Sequence, residues 1–318
     1  MEVGAQCVAS LQISNIIIPG CGEPLQNQNA ERRKALRLYK SETKAGSVIM
    51  DKRTFDALRK LIYDKSGITL GEGKEALVSA RIGKRLRALG LSTPEEYLKY
   101  LNSDECDDNE LVELLDVIST NVTSFFREPA HFDFMADYIQ KLVHDGKNKI
   151  RIWCAASSSG EEPYTLAMTF MENAAGFRGD CRILATDIST KILRMAKAGE
   201  YNDQKIQGVP PALRSRYFSL TAGPGGKVYK ANPEIADMIT FSRLNLSTPP
   251  FPMKGPFDLI FCRNVMIYFD NVVRQRLLEQ FERLLSPGGY LMVGHSESLA
   301  GLRTSLETVK PSVYHKKL

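Results

Sequence analysis

The residues best suited to binding a ligand follow strand-like segments in the second half of the chain. The segment 150–156 runs into 156-ASSSGEEP-163, a turn of small residues that lets a ligand approach the backbone closely. The next segment, 181–186, is followed by Asp187. In nucleotide-binding folds a carboxylate at that strand end binds ribose hydroxyls, so the pair favours a nucleotide-like ligand. The turn lacks the G-x-G-x-x-G pattern, however, and Asp187 could instead cap the following helix.

Polar residues also follow a third buried segment, 257–262. Arg263 and Asn264 stand at its end, and buried polar groups without partners cost on the order of several kcal/mol. A bound ligand is one partner that would satisfy them. In the preceding loop, Asn245 could reach an adenine edge, although asparagine is also an ordinary loop residue.

A linker with alternating polar and apolar residues, 119–132, precedes the first of these strands. Its polar members include Asn121, Thr123 and Arg127. Junctions between domains are favoured ligand sites, so these side chains are candidates for the same pocket. The alternative is an ordinary strut between two domains.

The elements that must position these residues form an alternating pattern after about residue 149. Continuous apolar strands alternate with amphipathic helices that begin near Pro163, Thr190 and 272. This alternation predicts an α/β domain whose parallel sheet is covered on both faces, with two final strands at 290–295 and 312–317. Ligands bind such sheets at the carboxyl ends of the strands.

The alternation breaks between about 209 and 243. Three short strand-like segments, 216–220, 227–231 and 238–243, are separated by turns rich in glycine and proline. We expect them to form a small antiparallel β insert.

The first half of the chain has a helical pattern from about 46 to 119. Asp51 is placed to cap a first helix that ends at Gly67, and a second helix is expected over 74–89. Thr93, Pro94 and Glu96 form a capping-box pattern for a third, and a fourth is expected over 110–118. These helices predict a small all-helical domain, and residues 1–45 are expected to form a flexible tail.

Composition narrows the classes of partner. The 318 residues carry a formal net charge of only +5, so we expect no nucleic acid partner. None of the six cysteines forms a C-x-x-C pair and no Cys/His cluster has zinc spacing, so no metal is expected. No segment approaches the ~20 apolar residues of a membrane helix, and none has the pattern of a signal peptide. We therefore expect a cytoplasmic protein without membrane insertion.

Five segments taken together resemble the CheR-type chemotaxis receptor methyltransferases, which methylate glutamates of chemoreceptors. The resemblance extends over about residues 47–318. The segments are TNVTSFFRE, RIWCAASSSGEEPYTLA, ATDIS, FDLIFCRNVMIYFD and GGYLMVGHSESL. The resemblance implies a helical domain over 46–119 and a linker over 120–130. It also implies a Rossmann-like S-adenosylmethionine (SAM)-dependent methyltransferase domain over 131–318, which contains the β insert.

The resemblance also implies a site for SAM, with S-adenosylhomocysteine as the product. Asp187 would bind the ribose, Asn245 and Leu246 would lie beside the adenine, and Arg263 and Asn264 beside the methionine part. Arg127 and Tyr268 are expected near the transferred methyl group as the catalytic pair. The cofactor-binding residues implied are Asn121, Thr123, Arg127, Glu162, Asp187, Asn245, Leu246, Arg263 and Asn264.

The same resemblance implies two protein contacts. The helix over 74–89 would meet acidic, glutamate-bearing receptor helices through Arg81, Lys84 and Arg85, although such a charged face is usually just solvated. The β insert would be able to bind a receptor's C-terminal peptide by adding a strand. Because a glutamate carboxylate is already ionised at neutral pH, the reaction would need no general base, which agrees with the scattered positions of the four histidines.

Three alternatives stay open. An NAD-dependent dehydrogenase would also have the strand, turn and aspartate, but the missing glycine pattern argues against it. A SAM-binding receptor adaptor without activity is a second, and a methyltransferase acting on another protein carboxylate is a third.

Overall fold

The computed structural model describes residues 50–106, 108–119, 121–223 and 226–317. All of them belong to one compact unit, Val48–Leu318. The expected tail over 1–45 lies outside the described residues. Within the described part of the chain, no helix is both long and apolar enough to span a membrane.

Among the described residues, four helices form the helical region before the linker, and local capping signals set the ends of the first and the start of the third. Asp51 caps the first through the Thr54 N–H at 2.8 Å, and Gly67 ends it at φ 71°. Thr93 and Glu96 form the expected capping box of the third. These predictions are confirmed, and a shared apolar core joins the helices. The helices are α1 (Lys52–Ser66), α2 (Glu75–Leu89), α3 (Pro94–Leu101) and α4 (Asp108–Ile118).

Among the residues that the structure describes, the main sheet has seven strands, which confirms the predicted α/β class. In spatial order, the first five strands run parallel to one another. The sixth strand pairs antiparallel with the fifth, and the seventh, at the edge, pairs antiparallel with the sixth. The seventh strand was not expected from the sequence. The spatial order is β6 (Ile239–Arg243), β2 (Asp180–Asp187), β1 (Lys149–Cys154), β7 (Phe257–Cys262), β8 (Leu285–Val293), β10 (Val313–His315) and β9 (Glu307–Lys310).

Helices cover both faces of this sheet, because successive side chains of a strand point to opposite faces. Ile152 and Cys154 of β1 pack into one core, while Trp153 packs into the other. The first core receives α5 and α6, and the second receives α11. The helices of this part are α5 (Ala130–His144), α6 (Glu161–Asn173), α7 (Thr190–Ala198), α8 (Asp203–Ile206), α9 (Pro211–Tyr217), α10 (Pro233–Ala236) and α11 (Asn271–Leu284).

The β insert is a three-stranded antiparallel sheet, but its bounds differ from the expected 209–243. Its strands are β3 (Glu200–Asn202), β5 (Gly226–Ala231) and β4 (Phe218–Gly223), in that spatial order. The segment expected as its third strand is instead β6, which pairs in parallel with β2. Without β6, the outer hydrogen-bonding groups of β2 would form the edge of the main sheet. Hydrophobic pattern alone does not choose between these two partners.

Candidate functional site

A deep cleft lies at the carboxyl ends of β1, β2 and β7, where the linker and the helical region meet the sheet. Its empty space, including the open solvent at its mouth, is about 1190 Å³. All ten residues implied for cofactor binding and catalysis line this one cleft. They are Asn121, Thr123, Arg127, Glu162, Asp187, Asn245, Leu246, Arg263, Asn264 and Tyr268.

Asp187 faces the cleft from the end of β2. One carboxylate oxygen accepts the Ser158 N–H at 2.9 Å and the other accepts the Ser189 N–H at 3.1 Å. Ser189 itself caps α7, through the Ile192 N–H at 3.0 Å. The cap is therefore provided by Ser189, and Asp187 keeps lone pairs for a ligand. Burial raises the pKa of Asp187, although the backbone N–H donors oppose the shift.

The turn after β1 is held close to Asp187. The Ser157 N–H donates to the Thr186 carbonyl at 2.8 Å, so the turn follows the end of β2. Gly160 has φ +98°, and a Cβ there would lie 2.7 Å from the Tyr201 hydroxyl oxygen. Glycine is required at this position both for its backbone conformation and for space.

Arg263 is the central cation of the site, but its side chain points away from the cleft. The side chain is 0% exposed, whereas the whole residue is 4% exposed, so its exposed part is backbone. Its guanidinium donates to Glu162 at 2.8 Å, to Glu128 at 3.0 Å and to the Arg127 carbonyl. Arg263 thus holds other site residues in place and offers the cleft only its main chain.

Glu162 lies between Arg263 and the thiol of Cys154. Its second oxygen is 3.2 Å from Cys154 Sγ. Burial raises the pKa of Glu162, and the positive charge of Arg263 counteracts this only in part. Glu162 therefore lines the cleft as a carboxylate fixed on both of its oxygens.

The linker reaches the cleft through strained backbone. Phe126 and Glu128 are non-glycine residues with φ 52° and 57°, on either side of Arg127. Such conformations cost on the order of 1–3 kcal/mol each and concentrate at functional sites. The Arg127 guanidinium donates to the Val122 carbonyl at 2.9 Å, which folds the linker back on itself. The conformation places the Arg127 side chain on the cleft wall.

Two carboxylates that carry no role in the sequence prediction hold this wall together. Glu297 accepts the N–H groups of Asn264 at 2.8 Å, Ile267 at 3.2 Å and Gly294 at 2.5 Å. It therefore shapes the loop that carries Tyr268. Glu128 accepts from Arg263, as described, and from the Asn264 side chain at 3.2 Å. Both carboxylates lie in the segments that carry the resemblance, which was the only signal for them.

Family models match nearly all of the described chain. A model described as "CheR methyltransferase, SAM binding domain" matches residues 121–315. A second, described as "CheR methyltransferase, all-alpha domain", matches residues 53–119. The chain belongs to the CheR methyltransferase family. It is accordingly a SAM-dependent methyltransferase, as the resemblance predicted.

Relatives in this family match over most of their own length. The chemotaxis protein methyltransferase of Escherichia coli is 37% identical over 260 residues, covering 82% of this chain and 89% of that protein. The chemotaxis protein methyltransferase of Borreliella burgdorferi is 38% identical over 279 residues, covering 85% and 96%. The probable chemotaxis protein methyltransferase of Rhizobium etli is 40% identical over 247 residues, covering 76% and 91%. The similarity therefore includes both the helical and the catalytic parts of CheR proteins.

Asn245 of this CheR chain lines the cleft and also contacts the helical region. Its amide nitrogen donates to the Lys65 carbonyl of α1 at 2.8 Å. Its amide oxygen accepts from the Ser247 N–H at 3.0 Å and from the Ser247 hydroxyl at 2.9 Å. The side chain thus joins the loop to the helical region.

The helical region forms one wall of the cleft, which the sequence analysis did not foresee. The Thr69 N–H donates to the Tyr268 carbonyl at 2.8 Å, and Ile68 forms a β-bridge with Phe269. Lys74 and Leu77 line the same wall. These contacts join residues about 200 positions apart, so no local pattern could reveal them.

The three cations implied for receptor binding occupy different environments on α2. Lys84 is exposed. Arg81 lines the cleft and donates to the Ile118 carbonyl. Arg85 instead contacts Glu110 at 2.5 Å and Glu113 at 3.0 Å, within the helical region. The guanidinium of Arg85 is therefore engaged inside the molecule, which argues against its expected role as a receptor contact.

Proposed function

We propose that this CheR methyltransferase transfers the methyl group of SAM to glutamate side-chain carboxylates of chemoreceptors, forming glutamyl methyl esters. The observation that supports it is the cleft: its inner part carries Glu162 and Asp187, and its helical and linker walls carry Lys74, Arg81 and Arg127. Acidic groups suit the hydroxyl and ammonium groups of SAM, and a cationic rim suits an incoming carboxylate.

The residues that line the inner cleft fit SAM. Asp187 retains acceptor capacity on both oxygens for a ribose diol, and the buried Ser158 hydroxyl has no hydrogen-bond partner among the described residues. Asn121 and Thr123 would complete the site from the linker, and Leu246 would contact the adenine. When bound, SAM would supply a methyl group activated by its sulfonium for transfer to a carboxylate oxygen.

The protein's own part in this reaction is positioning. The substrate glutamate, with an ordinary pKa near ~4.3, is ionised at neutral pH and needs no base. Arg127 would orient that carboxylate and Tyr268 would shape the pocket around the methyl group. Holding both reactants in line and excluding water would then provide the acceleration.

The proposed partners are the cytoplasmic helices of chemoreceptors, and the proposed place of action is the cytoplasm. The relatives in Escherichia coli and Borreliella burgdorferi are chemotaxis protein methyltransferases, which supports this partner. Lys84, exposed on α2 beside the mouth residue Arg81, is placed to attract a glutamate-bearing helix.

The test is incubation with labelled SAM and receptor-containing membranes, scored for base-labile methyl ester. The parent protein should label the receptor. Arg127→Ala should lose about a hundredfold or more of that activity if it orients the carboxylate. Calorimetry with S-adenosylhomocysteine should show whether the variant still binds the product. Near-normal turnover by folded Arg127→Ala would contradict its role.

The same experiment separates the alternatives. Binding of SAM without label in any receptor favours an adaptor without activity. Base-labile label in another protein but not in receptors indicates a different carboxylate substrate. Binding of NAD in place of SAM would overturn the proposal altogether.

The β insert supports a second proposal, that it binds the C-terminal peptide of a receptor by adding a strand. β4 lies at one edge of the three-stranded sheet, and no strand among the described residues pairs with its outer side. Leu220 projects from β4 and is 56% exposed. An extended peptide would satisfy the edge hydrogen bonds and cover this side chain.

Titration with a synthetic peptide of the receptor's C-terminal residues tests this second proposal. Leu220→Asp should weaken binding by about tenfold, because it places a charge on the covered surface. Val309→Asp is a matched control, since Val309 is an exposed apolar residue on β9 at the edge of the other sheet. Equal binding by the parent and by Leu220→Asp would refute docking on β4.

A further inference from the structure

The β insert touches the cofactor side of the molecule through a cluster of polar groups in which Ser159 and Glu161 are buried and Lys205 is partly exposed. Lys205, in α8 of the insert, places its Nζ 2.8 Å from the Ser159 hydroxyl and 2.8 Å from Glu161. The Ser159 hydroxyl also donates to the other oxygen of Glu161 at 2.6 Å. Ser159 and Glu161 belong to the turn that follows β1, so the insert holds that turn directly.

A second contact reinforces the first from the same part of the insert. The Tyr201 hydroxyl, on β3, donates to the Ser159 carbonyl at 3.0 Å. This hydroxyl is also the atom that a Cβ at Gly160 would meet, at 2.7 Å. Tyr201 is held in turn by the linker, because its ring packs edge-on against Phe125 at 4.8 Å. The turn is therefore enclosed by the insert on the side opposite the cleft.

The other side of the same turn faces the cofactor cleft. Ser158 donates its N–H to Asp187, and Glu162 contacts Arg263. Ser159 and Glu161 stand immediately beside these two residues and point the other way, into the insert. A shift of the turn by a few tenths of an ångström would change the geometry at Asp187 and Glu162 together.

We propose that Lys205, assisted by Tyr201, is a positioning residue for the cofactor turn, so that the β insert forms part of the SAM site. The Glu161 side chain is only 1% exposed, and Lys205 supplies its counter-charge. Without Lys205 the buried carboxylate would be left with a hydroxyl donor alone, and it would move toward water, taking the turn with it. The inference extends the proposed placement of SAM in the cleft to a residue outside it.

The test measures cofactor binding directly. Lys205→Met removes the charge and keeps the aliphatic stem, and it should raise the dissociation constant for S-adenosylhomocysteine by about tenfold in calorimetry. The KM for SAM should rise in parallel while kcat changes little. Lys205→Arg should restore most of the affinity, because it returns a cation to Glu161. Amide exchange in residues 157–162 should quicken in Lys205→Met.

Matched controls separate positioning from a loss of folding. Lys197→Met alters an exposed lysine on the neighbouring helix α7 and should leave affinity and exchange unchanged. If Lys205→Met fails to fold, Tyr201→Phe decides the question, since it removes only the hydroxyl that reaches Ser159 and should still weaken binding. Asp187→Asn reports on the cleft itself.

Comparing these variants distinguishes a failure of the positioning role from a failure of the proposed cofactor site. Weak binding by Asp187→Asn with parent-like affinity and exchange in folded Lys205→Met or Tyr201→Phe overturns the positioning role and leaves the cofactor site intact. Parent-like binding by Asp187→Asn instead shows that SAM binds elsewhere, which defeats the proposed placement. Loss of affinity in Lys205→Met that Lys205→Arg restores supports the inference.

Discussion

At the scale of residues, the site depends on carboxylates that hold other groups in place. Arg263 has two carboxylate partners, Glu162 and Glu128, and its side chain is fully buried. Fixing a buried cation this way costs desolvation energy but leaves it a single geometry. Because the linker carbonyl of Arg127 is a third acceptor, the guanidinium joins β7, α6 and the linker at one point.

Glu128→Gln should destabilise the protein by about 2 kcal/mol, because the amide replaces the charge opposite Arg263 and leaves one donor poorly matched. Urea unfolding at neutral pH measures this. Glu105→Gln, at an exposed position, serves as the control and should change little. A Glu128→Gln variant as stable as the parent would show that Glu162 alone satisfies Arg263.

The stability that Glu128 contributes in the parent protein depends on pH, because its carboxyl group is ionised. Burial raises the pKa of Glu128, but the charge and hydrogen bond of Arg263 together with the Asn264 side chain outweigh burial and hold the pKa below its ordinary value. Its stabilisation is therefore present above the unfolded pKa and is lost as pH falls through the lower folded pKa. The stability difference between parent and Glu128→Gln should shrink over that acidic range.

At the scale of elements, neighbouring cations of α2 lie in different environments: Arg85 is paired within the helical region, and Lys84 is exposed. Arg85 faces the helical core, where Glu110 also accepts the Tyr97 hydroxyl at 2.5 Å. Burial and the hydrogen bond to Glu110 raise the pKa of Tyr97 above its ordinary range. Lys84 lies one residue earlier and is exposed, because neighbours in a helix point in different directions.

Arg85→Met should destabilise the helical region by about 3 kcal/mol, since it leaves the buried carboxylate of Glu110 without its cation. Urea unfolding followed by circular dichroism measures the loss. Receptor methylation well below the unfolding transition should change little. A stable Arg85→Met with poor receptor binding would restore the expected receptor role of Arg85.

Lys84→Glu should raise the KM for receptor-containing membranes by about threefold to tenfold at low ionic strength, with the difference fading as salt screens the charge. Stability should stay near that of the parent. Lys60→Glu, at an exposed position on α1, is the matched control. Equal effects of the two reversals would indicate a general charge effect and not docking on α2.

At the scale of the whole molecule, contacts between the helical region and the sheet domain hold one wall of the cleft in place. The Tyr63 hydroxyl of α1 donates to Asp270 at 2.7 Å, and Asp270 also caps α11 through the Val273 N–H at 2.9 Å. Thr69 and Asn245 add the two further links already described. Together they hold the helical wall over the cofactor side of the cleft.

Tyr63→Phe should loosen this wall while leaving both cores packed. Removing one such hydrogen bond costs about 1 kcal/mol, so the dissociation constant for S-adenosylhomocysteine should rise about fivefold. Amide exchange over residues 67–70 should quicken in the free protein. Tyr100→Phe, on the far helix α3, provides a comparison for the loss of a hydroxyl outside the wall. Unchanged affinity in Tyr63→Phe would mean that the other links suffice.

Local interactions made much of the fold predictable from the sequence. The Asp51 cap, the Thr93–Glu96 capping box and the glycine that ends α1 involve residues only a few positions apart. The apolar run of β7, interrupted only by Asp258, likewise predicts a buried strand. The positions of the ten cleft residues followed from the motif segments together with the rule that ligands bind at strand ends.

Only the tertiary structure decided which partners the residues and strands take in the folded protein. β6 pairs with β2 and not with the insert, because an unpaired edge of the main sheet was available to it. Arg263 turns its side chain toward Glu128 and Glu162, and Arg85 turns toward Glu110, because buried charges take the partners that the fold brings near them. The sequence by itself determined which chemical groups are present and which strand ends carry them. Which of those groups meet a ligand and which hold the site together depends on contacts between residues 25 to 135 positions apart, and the hydrophobic pattern does not reveal these contacts.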